Sequence, residues 1–518
     1  MPEWVGSVVA LNQGPCQALQ SLPFPPESRP AMSETKLMLR ARVRFACAPD
    51  FCLMAGVLAL VASAAHASLD RDGDHDVDCE DVAAFADCMG GPGVAAWDPE
   101  CPSYDLDAAG SIDLFDFASL QLRFDTCGAP PGFTPVSTPD ELFAIRSNPD
   151  GDYFLCKDID LAGYDVRPVC SCSVEFRGVF EGDGRTISNL NITRRTSDCV
   201  GLFGANSGVI RNLRVAGATV EGDEAVGVIV GRNKATGRIE NVVIDNSLVT
   251  GVDTAGGLAG ENRGLILKSS FDGAVSGRRG WYGFGAHFGG AVGVNDGAVD
   301  QTSTTGTVTG KARVGGLCGD SGTDGRGAVV VQCVSKSYVS GTFEVGGLIG
   351  HNAAGSCVLL SYSVGDVSGG DSPVGGLSGF NAGLIHQCYA QGNVWGGICA
   401  QVGGLVGANG GGVEECYATG EVYGGTGVGG AHGGLVGVAL VGPPYAPYVL
   451  ASYWDTVTTL QPTSAGGTGL PTFRMQSLSA YLPVWDITYL GSPLHAAWRL
   501  RAPEKTDYPR LDWEFVPP

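Results

Sequence analysis

Three observations predict a mainly β fold, a parallel, right-handed β-helix or solenoid of about nine repeats, with a small α-helical module ahead of it. Glycine supplies 80 of the 518 residues. A phrase of the form Val-Gly-Gly-Leu-x-Gly-x-Asn returns about every 26 to 33 residues between positions 200 and 440. Within that stretch helical periodicity is absent, and short apolar runs are broken by Gly and Asn. The expected order is an export region at 1–67, the small module at 68–127, a Pro/Gly linker at 128–136 and an opening segment at 137–200. The repeat body follows at 201–440 and a closing cap at 441–518.

Composition narrows the function classes. Only 17% of the residues are charged, fewer than in an average globular chain, so a packed, turn-dense body fits and disorder does not. Acidic residues outnumber basic ones 54 to 32, and the formal charge of -22 opposes binding to nucleic acid or anionic membranes while favouring divalent cations. The 17 cysteines are not needed as a framework, because a chain of this length buries a core without one.

The first element is an export signal. Arg40, Arg42 and Arg44 precede an apolar run at 51–62 and the small-residue ending Ala65-His66-Ala67, which predicts cleavage after Ala67. Met38 gives a more conventional start to this signal than Met1. The apolar run falls short of the roughly 20 residues that a spanning helix needs, so a secreted or cell-surface protein without a transmembrane anchor is expected. Cys16, Cys47 and Cys52 lie in the part expected to be removed.

The second element carries two acidic loops. Asp70, Asp72, Asp74, Asp76, Asp78 and Asp81 place carboxylates through one twelve-residue loop, as a hard cation demands when many oxygens must converge from one turn. Asp70, Asp72, Asp74, Asp78 and Asp81 take loop positions 1, 3, 5, 9 and 12. A helix-prone run starting at Asp81 follows. The second loop offers Asp105, Asp107, Ser111, Asp113 and Asp116, with Ala109 where a ligand is expected, so its affinity should be lower. The pair resembles a divergent type I dockerin, an EF-hand-type module. That resemblance implies calcium as the cofactor and a cohesin-like protein as partner. His75 departs from the usual glycine, and Cys88 and Cys101 flank the linker between the copies.

The third element is the repeat body. The phrase stands at 200–206, 256–262, 345–352, 374–381 and 402–409, with looser copies around Gly231, Gly293, Gly319 and Gly437. A second phrase places Tyr338, Tyr362, Tyr389, Tyr417 and Tyr453 in what should be one column, and Cys388 and Cys416 at one place in adjacent repeats, either paired or packed as small apolar groups. Each repeat holds about three strand-like runs, enough for one coil, and a coil buries its apolar face only against its neighbours. These phrases are similar to the GLUG repeat family. The opening phrases around 137–142, 153–161 and 180–187 and the ending at 452–455, 466–470, 485–486 and 508–511 extend the resemblance to about residue 518. It implies a surface or secreted solenoid.

No catalytic residue is assigned, and enzymatic activity stays open, with a non-enzymatic role preferred. The densest acidic set, Asp253, Glu261, Asp272, Asp296 and Asp300, sits mostly in glycine-rich turns where acidic residues are ordinary. Some relatives of the repeat occur in metallopeptidases that cleave immunoglobulin A, but no H-E-x-x-H is present, and His351, His386 and His432 fall on or near turns of different coils. Gly319-Asp320-Ser321-Gly322 imitates a serine-protease phrase in the place of a Gly-x-Asn. The leading expectation is a non-enzymatic adhesion or binding protein with a calcium-dependent docking module, its partner a cohesin-like protein or a surface polysaccharide. A dockerin-tethered polysaccharide lyase or hydrolase is the alternative, favoured if three or more carboxylates converge in one groove. A structural cell-envelope protein is a further alternative.

Overall fold

The computed structural model describes residues 127, 129–278, 285–325, 327–492, 494, 496–501 and 507–515. The described residues from Val136 onward form one compact unit, and residues 127 and 129–135 belong to a second. The signal and both acidic loops lie outside the described residues.

The unit opens with a helix at Pro139–Ala144. Thr138 caps it, its hydroxyl accepting from the Glu141 amide while the Glu141 carboxylate accepts from the Thr138 amide at 3.1 Å, and Pro139 takes the first turn. Leu142 and Ile145 are fully buried and join the main core, so this element covers the apolar face that the first coil presents.

From Asp152 the chain winds as a parallel β-solenoid of about ten coils. Each full coil contributes to three faces. The first is a 28-stranded sheet with two or three runs per coil, the second a nine-stranded sheet and the third a seven-stranded sheet. The second face corresponds copy for copy to the nine recurrences of the glycine phrase, from Phe203–Asn206 to Val436–Ala439. The extra coil precedes them, where Phe176 bridges Asn206 without a copy of the phrase.

Two columns of residues run down the second face. Phe203, Val230, Ala259, Val292, Cys318 and Ile349 stand in register and are buried, and the column two places on reads Ala205, Arg232, Glu261, Val294, Asp320 and His351, its polar members facing outward across the glycine that separates the two columns. Gly347 shows why the phrase needs its second glycine: a Cβ there would lie 2.1 Å from the Gly376 carbonyl oxygen and 2.4 Å from Ser363 Oγ.

Two ladders run through the interior. Asn206, Asn233 and Asn262 each donate from Nδ2 to Oδ1 of the asparagine on the next coil at 2.8 to 2.9 Å, ending on Asn295, and the pattern resumes from Asn352 through Asn381 to Asn409. Ser321 occupies the gap. The second ladder lines a turn of the first face. Ser269, Thr302, Cys333, Ser361, Cys388, Cys416 and Ser452 each donate back to the carbonyl two residues earlier, at 2.7 to 3.2 Å. Each follows a residue held at positive φ, such as Gln387 at 54°.

Cys388 and Cys416 are therefore neither paired nor merely apolar filler. Both are free and buried, and Cys416 Sγ accepts from the Cys388 amide at 3.4 Å, standing in for the hydroxyls above and below. Cys172 and Cys199 form a disulfide, and Cys127 and Cys156 are each engaged in a disulfide as well.

The tyrosine column needs one correction. Tyr362, Tyr389, Tyr417 and Tyr453 share a register, but its preceding member is Val334, whereas Tyr338 pairs with Thr307 and is 44% exposed. The repeat containing Tyr338 carries its turn phrase as Cys333-Val334-Ser335, so its tyrosine falls four residues later, on another run. The column is buried under the closing segment, where Trp485, Trp498, Tyr508 and Trp513 pack against it. Tyr417 donates to the Pro509 carbonyl at 2.7 Å, and Trp513 donates to the Leu360 carbonyl at 2.8 Å. No helix among the described residues is long and apolar enough to cross a membrane.

Candidate functional site

The second and third faces border a polar trough of about 1160 Å³. Its lining comes from five successive coils, from Glu224 on one to Thr342 on the last, so its floor follows the solenoid axis for four coil spacings, roughly 19 Å at about 4.8 Å each. The coils supply it through two kinds of position. Outward residues of the second face bring Glu261 and Val294, and the third-face strands and the turns before them bring Asp253, His287, Lys311 and Arg313.

Of the predicted acidic set, Asp253, Glu261 and Asp296 meet here, and Glu224 joins them. Asp272 bonds Thr305, and Asp300 pairs in register with Leu267 and Val331, both on the first face, away from the trough. Three of the four carboxylates are committed to cations. Arg232 reaches Glu224 at 2.9 Å and Glu261 at 3.1 Å, and Arg263 lies 3.8 Å from Asp296. Asp296 also accepts from the Thr323 hydroxyl at 2.8 Å and the Asp324 amide at 3.1 Å. The Asp253 carboxylate has no hydrogen-bond or ion-pair partner among the described residues. Burial raises its pKa, and the neighbouring Asp223 and Asp198 charges add to the effect.

Beside the trough stands a buried network that the sequence reading missed. Asp320 is fully buried, with His351 Nδ1 3.2 Å from its carboxylate, His287 Nε2 at 3.6 Å, and Arg313 bonded to Oδ2. Arg313 also reaches Glu344 at 3.1 Å. Burial pushes the Asp320 carboxyl up, but the His351 hydrogen bond and the charges of His351, Arg313 and His287 outweigh it and hold the group below its ordinary value. His287 goes the other way: burial outweighs the Asp320 charge and holds its pKa down to about 4. His351 thus belongs to a strand, Ile349–Asn352, rather than a turn, and it shares a register with Asp320. The one available signal was the phrase alignment, which puts Asp320 and His351 at the same outward position of adjacent repeats.

This network does not make a serine-protease site. Asp320 points out of the second face and Ser321 points into the asparagine ladder, as successive residues of a strand must. Ser321 Oγ is buried and meets no imidazole. Among the described residues no group of three or more His, Cys, Asp or Glu side chains is arranged to hold a metal ion. Asp70, Asp72, Asp74, Asp76, Asp78, Asp81, Asp105, Asp107, Ser111, Asp113 and Asp116 lie outside the described residues.

Residues 399–423 match the family model described as the GLUG motif, so this solenoid is one that carries a GLUG repeat. Among curated proteins the chain is similar to halomucin of Haloquadratum walsbyi, 32% identical over 166 residues, which are 27% of this chain and 2% of halomucin. Among solved structures it is similar to a candidate immunoglobulin A1 protease of Bacteroides ovatus, with 17% identity, 74% of this chain and 92% of that one covered, and a TM-score of 0.33. A structure titled IgA1 Protease aligns at 15% identity over 62% of this chain and 21% of its own, with a TM-score of 0.32. Scores this low carry no implication for activity.

Proposed function

We propose that the protein is an exported, non-enzymatic binding or adhesion solenoid whose recognition surface is the trough between its second and third faces. One observation carries this reading. The trough carboxylates Glu224, Glu261 and Asp296 are paired with Arg232 and Arg263, leaving Asp253 as the one uncommitted carboxylate among the trough's described lining residues. Cleavage of a glycan by acid and base needs two carboxyls free to exchange protons across the bond, whereas fixed ion pairs orient a ligand without reacting. Export rests on the signal pattern ending at Ala67. Calcium bound by the loops at Asp70 and Asp105, and a calcium-dependent cohesin-like partner, belong to the same proposal and rest on the ligand spacing of the sequence. The test is retention of surface polysaccharide by the mature chain with no release of reducing ends. Appearance of reducing or unsaturated ends would reverse the reading. Calcium titration of the mature chain and of its Asp70→Ala/Asp81→Ala variant tests the loops, and equal binding by the two would remove them from the proposal.

A second reading, a polysaccharide-cleaving enzyme, is favoured by the convergence itself. Four carboxyls line one trough, and the Asp253 pKa is shifted upward, the direction a general acid needs. Loss of product release in Asp253→Asn would support it.

A further inference from the structure

The charge pattern of the trough identifies the class of its ligand. Four of its lining residues are acidic (Glu224, Asp253, Glu261, Asp296) and four are basic (Arg263, Arg278, Lys311, Arg313), on a chain whose overall charge is -22. The trough is therefore a locally balanced strip on an acidic molecule. A polyanion meets long-range repulsion on approach and then finds guanidinium groups already engaged, Arg263 with Asp296, Arg278 with Glu221, and Arg313 with Asp320 and Glu344. A polycation finds three of the four carboxylates engaged in the same way, with Asp253 alone left to meet it.

What the ion pairs still offer is short-range and neutral. A guanidinium beside a carboxylate sets N–H donors next to acceptor lone pairs at a fixed separation, which suits two adjacent hydroxyl groups, each of which donates and accepts. Thr309, Thr323, Ser340 and Thr342 line the same trough and add hydroxyls of their own. A peptide fits less well. The third-face strands Thr254–Gly256, His287–Gly289, Ala312–Gly315 and Phe343–Gly346 pair with one another in series, so the trough shows no strand edge for a peptide backbone to extend. The two large apolar side chains of the lining, Phe288 and Val294, offer little surface to a hydrophobic anchor, being 1% and 8% exposed.

We propose that the trough binds an uncharged, hydroxyl-rich oligosaccharide several units long along the solenoid axis. Its length and volume exceed what one sugar needs, since about 300–1,000 Å³ already serves a drug-sized ligand. This inference rests on the trough being the recognition surface, and its test keeps the two separable. The full mature chain is presented with neutral glucans, mannans and xylans, with a uronate polymer, and with a random peptide library, alongside the variant Thr342→Trp. Thr342 is exposed, in the loop before Phe343–Gly346, so the indole obstructs the trough without entering the core. The expected result is binding to a neutral polymer that is insensitive to salt and weakened at least tenfold in Thr342→Trp, with an unchanged thermal melt. Neutral-polymer binding that the variant retains would overturn the trough as its site while leaving a binding protein. Uronate or peptide binding that the variant loses would overturn the ligand class while leaving the trough. No binding by any probe would overturn both.

Discussion

Replacing Ser321 by asparagine should stabilise the solenoid, because the change completes a structure that the chain builds everywhere around it. In the ladder each Nδ2 donates to the Oδ1 of the next coil, so the break leaves a donor on one side and an acceptor on the other. Asn295 Nδ2, Ser321 Oγ and Asn352 Oδ1 are all buried without a hydrogen-bond partner. An asparagine at 321 provides the acceptor for Asn295 and the donor for Asn352, and it removes the orphaned hydroxyl. The slot is already shaped for an amide, since Asn206, Asn233, Asn262, Asn295, Asn352, Asn381 and Asn409 hold the same register. The hydroxyl is not otherwise needed, because Ser356 Oγ bonds the Ser321 carbonyl rather than its side chain. Two new buried hydrogen bonds at about 0.5–1.5 kcal/mol each give a gain of about 1–3 kcal/mol. A solenoid's stability is a sum over neighbouring coils, so the sensitive assay is local: native-state hydrogen exchange of the amides in Cys318–Ser321 and Ile349–Asn352. At about 1.4 kcal/mol per tenfold, exchange should slow by roughly 5- to 150-fold. Unchanged or faster exchange would refute the argument that the ladder contributes through its continuity.

The acid side of the stability profile should depend on His287. Its folded pKa of about 4 lies below the ordinary histidine value of 6.5, so between those values the unfolded chain binds the extra proton and stability falls as pH drops. Asp320, held below its ordinary value, acts in the same direction, its contribution being lost as pH falls through its folded pKa. The His287 part amounts to about 3 kcal/mol at most, and His287→Gln should flatten the change in denaturant midpoint between pH 7 and 4.5; an unchanged slope would assign the acid sensitivity elsewhere. At the turn ladder, Cys388→Ser should stay within about 1 kcal/mol of the parent in equilibrium unfolding, because a hydroxyl makes the same bond to the His386 carbonyl, whereas Cys388→Val should cost about 1–3 kcal/mol by leaving the turn without its donor. Equal costs for the two would mean the thiol acts by volume alone. Trp498→Ala removes a fully buried ring that contacts Tyr389, Tyr417 and Trp485, at a cost of about 3–5 kcal/mol. Limited proteolysis should then cut within 471–515 while far-ultraviolet circular dichroism keeps the solenoid signal, and resistance equal to the parent would show that the segment is not held by this cluster.

The parts of the fold that were legible in the sequence are those where stacking forces every coil to repeat the same residue. The ladder asparagines and the glycine of each phrase meet copies of themselves on the next coil, so a change in one is felt by two neighbours, and the phrase stays readable at nine positions. The outward position between them carries no such constraint. It reads Ala205, Arg232, Glu261, Val294, Asp320, His351, Phe380 and Ala408 down the face, and no periodic signal marks it. That freedom is what allows a stretch of coils to become a polar trough, and it is also why the Asp320–His351 pair escaped a reading made along the chain. The same logic accounts for Tyr338: a search by phrase aligned it with the other tyrosines, while hydrogen-bond register, set by the turn residue Cys333, placed Val334 in the column instead. In a stacked solenoid, then, recurrence reports what the interior requires, and departures from recurrence on the outward positions mark where the molecule presents its chemistry. Asp320 and Ser321 display both halves of that rule in adjacent residues, one opening a charged network outward and the other interrupting the ladder within.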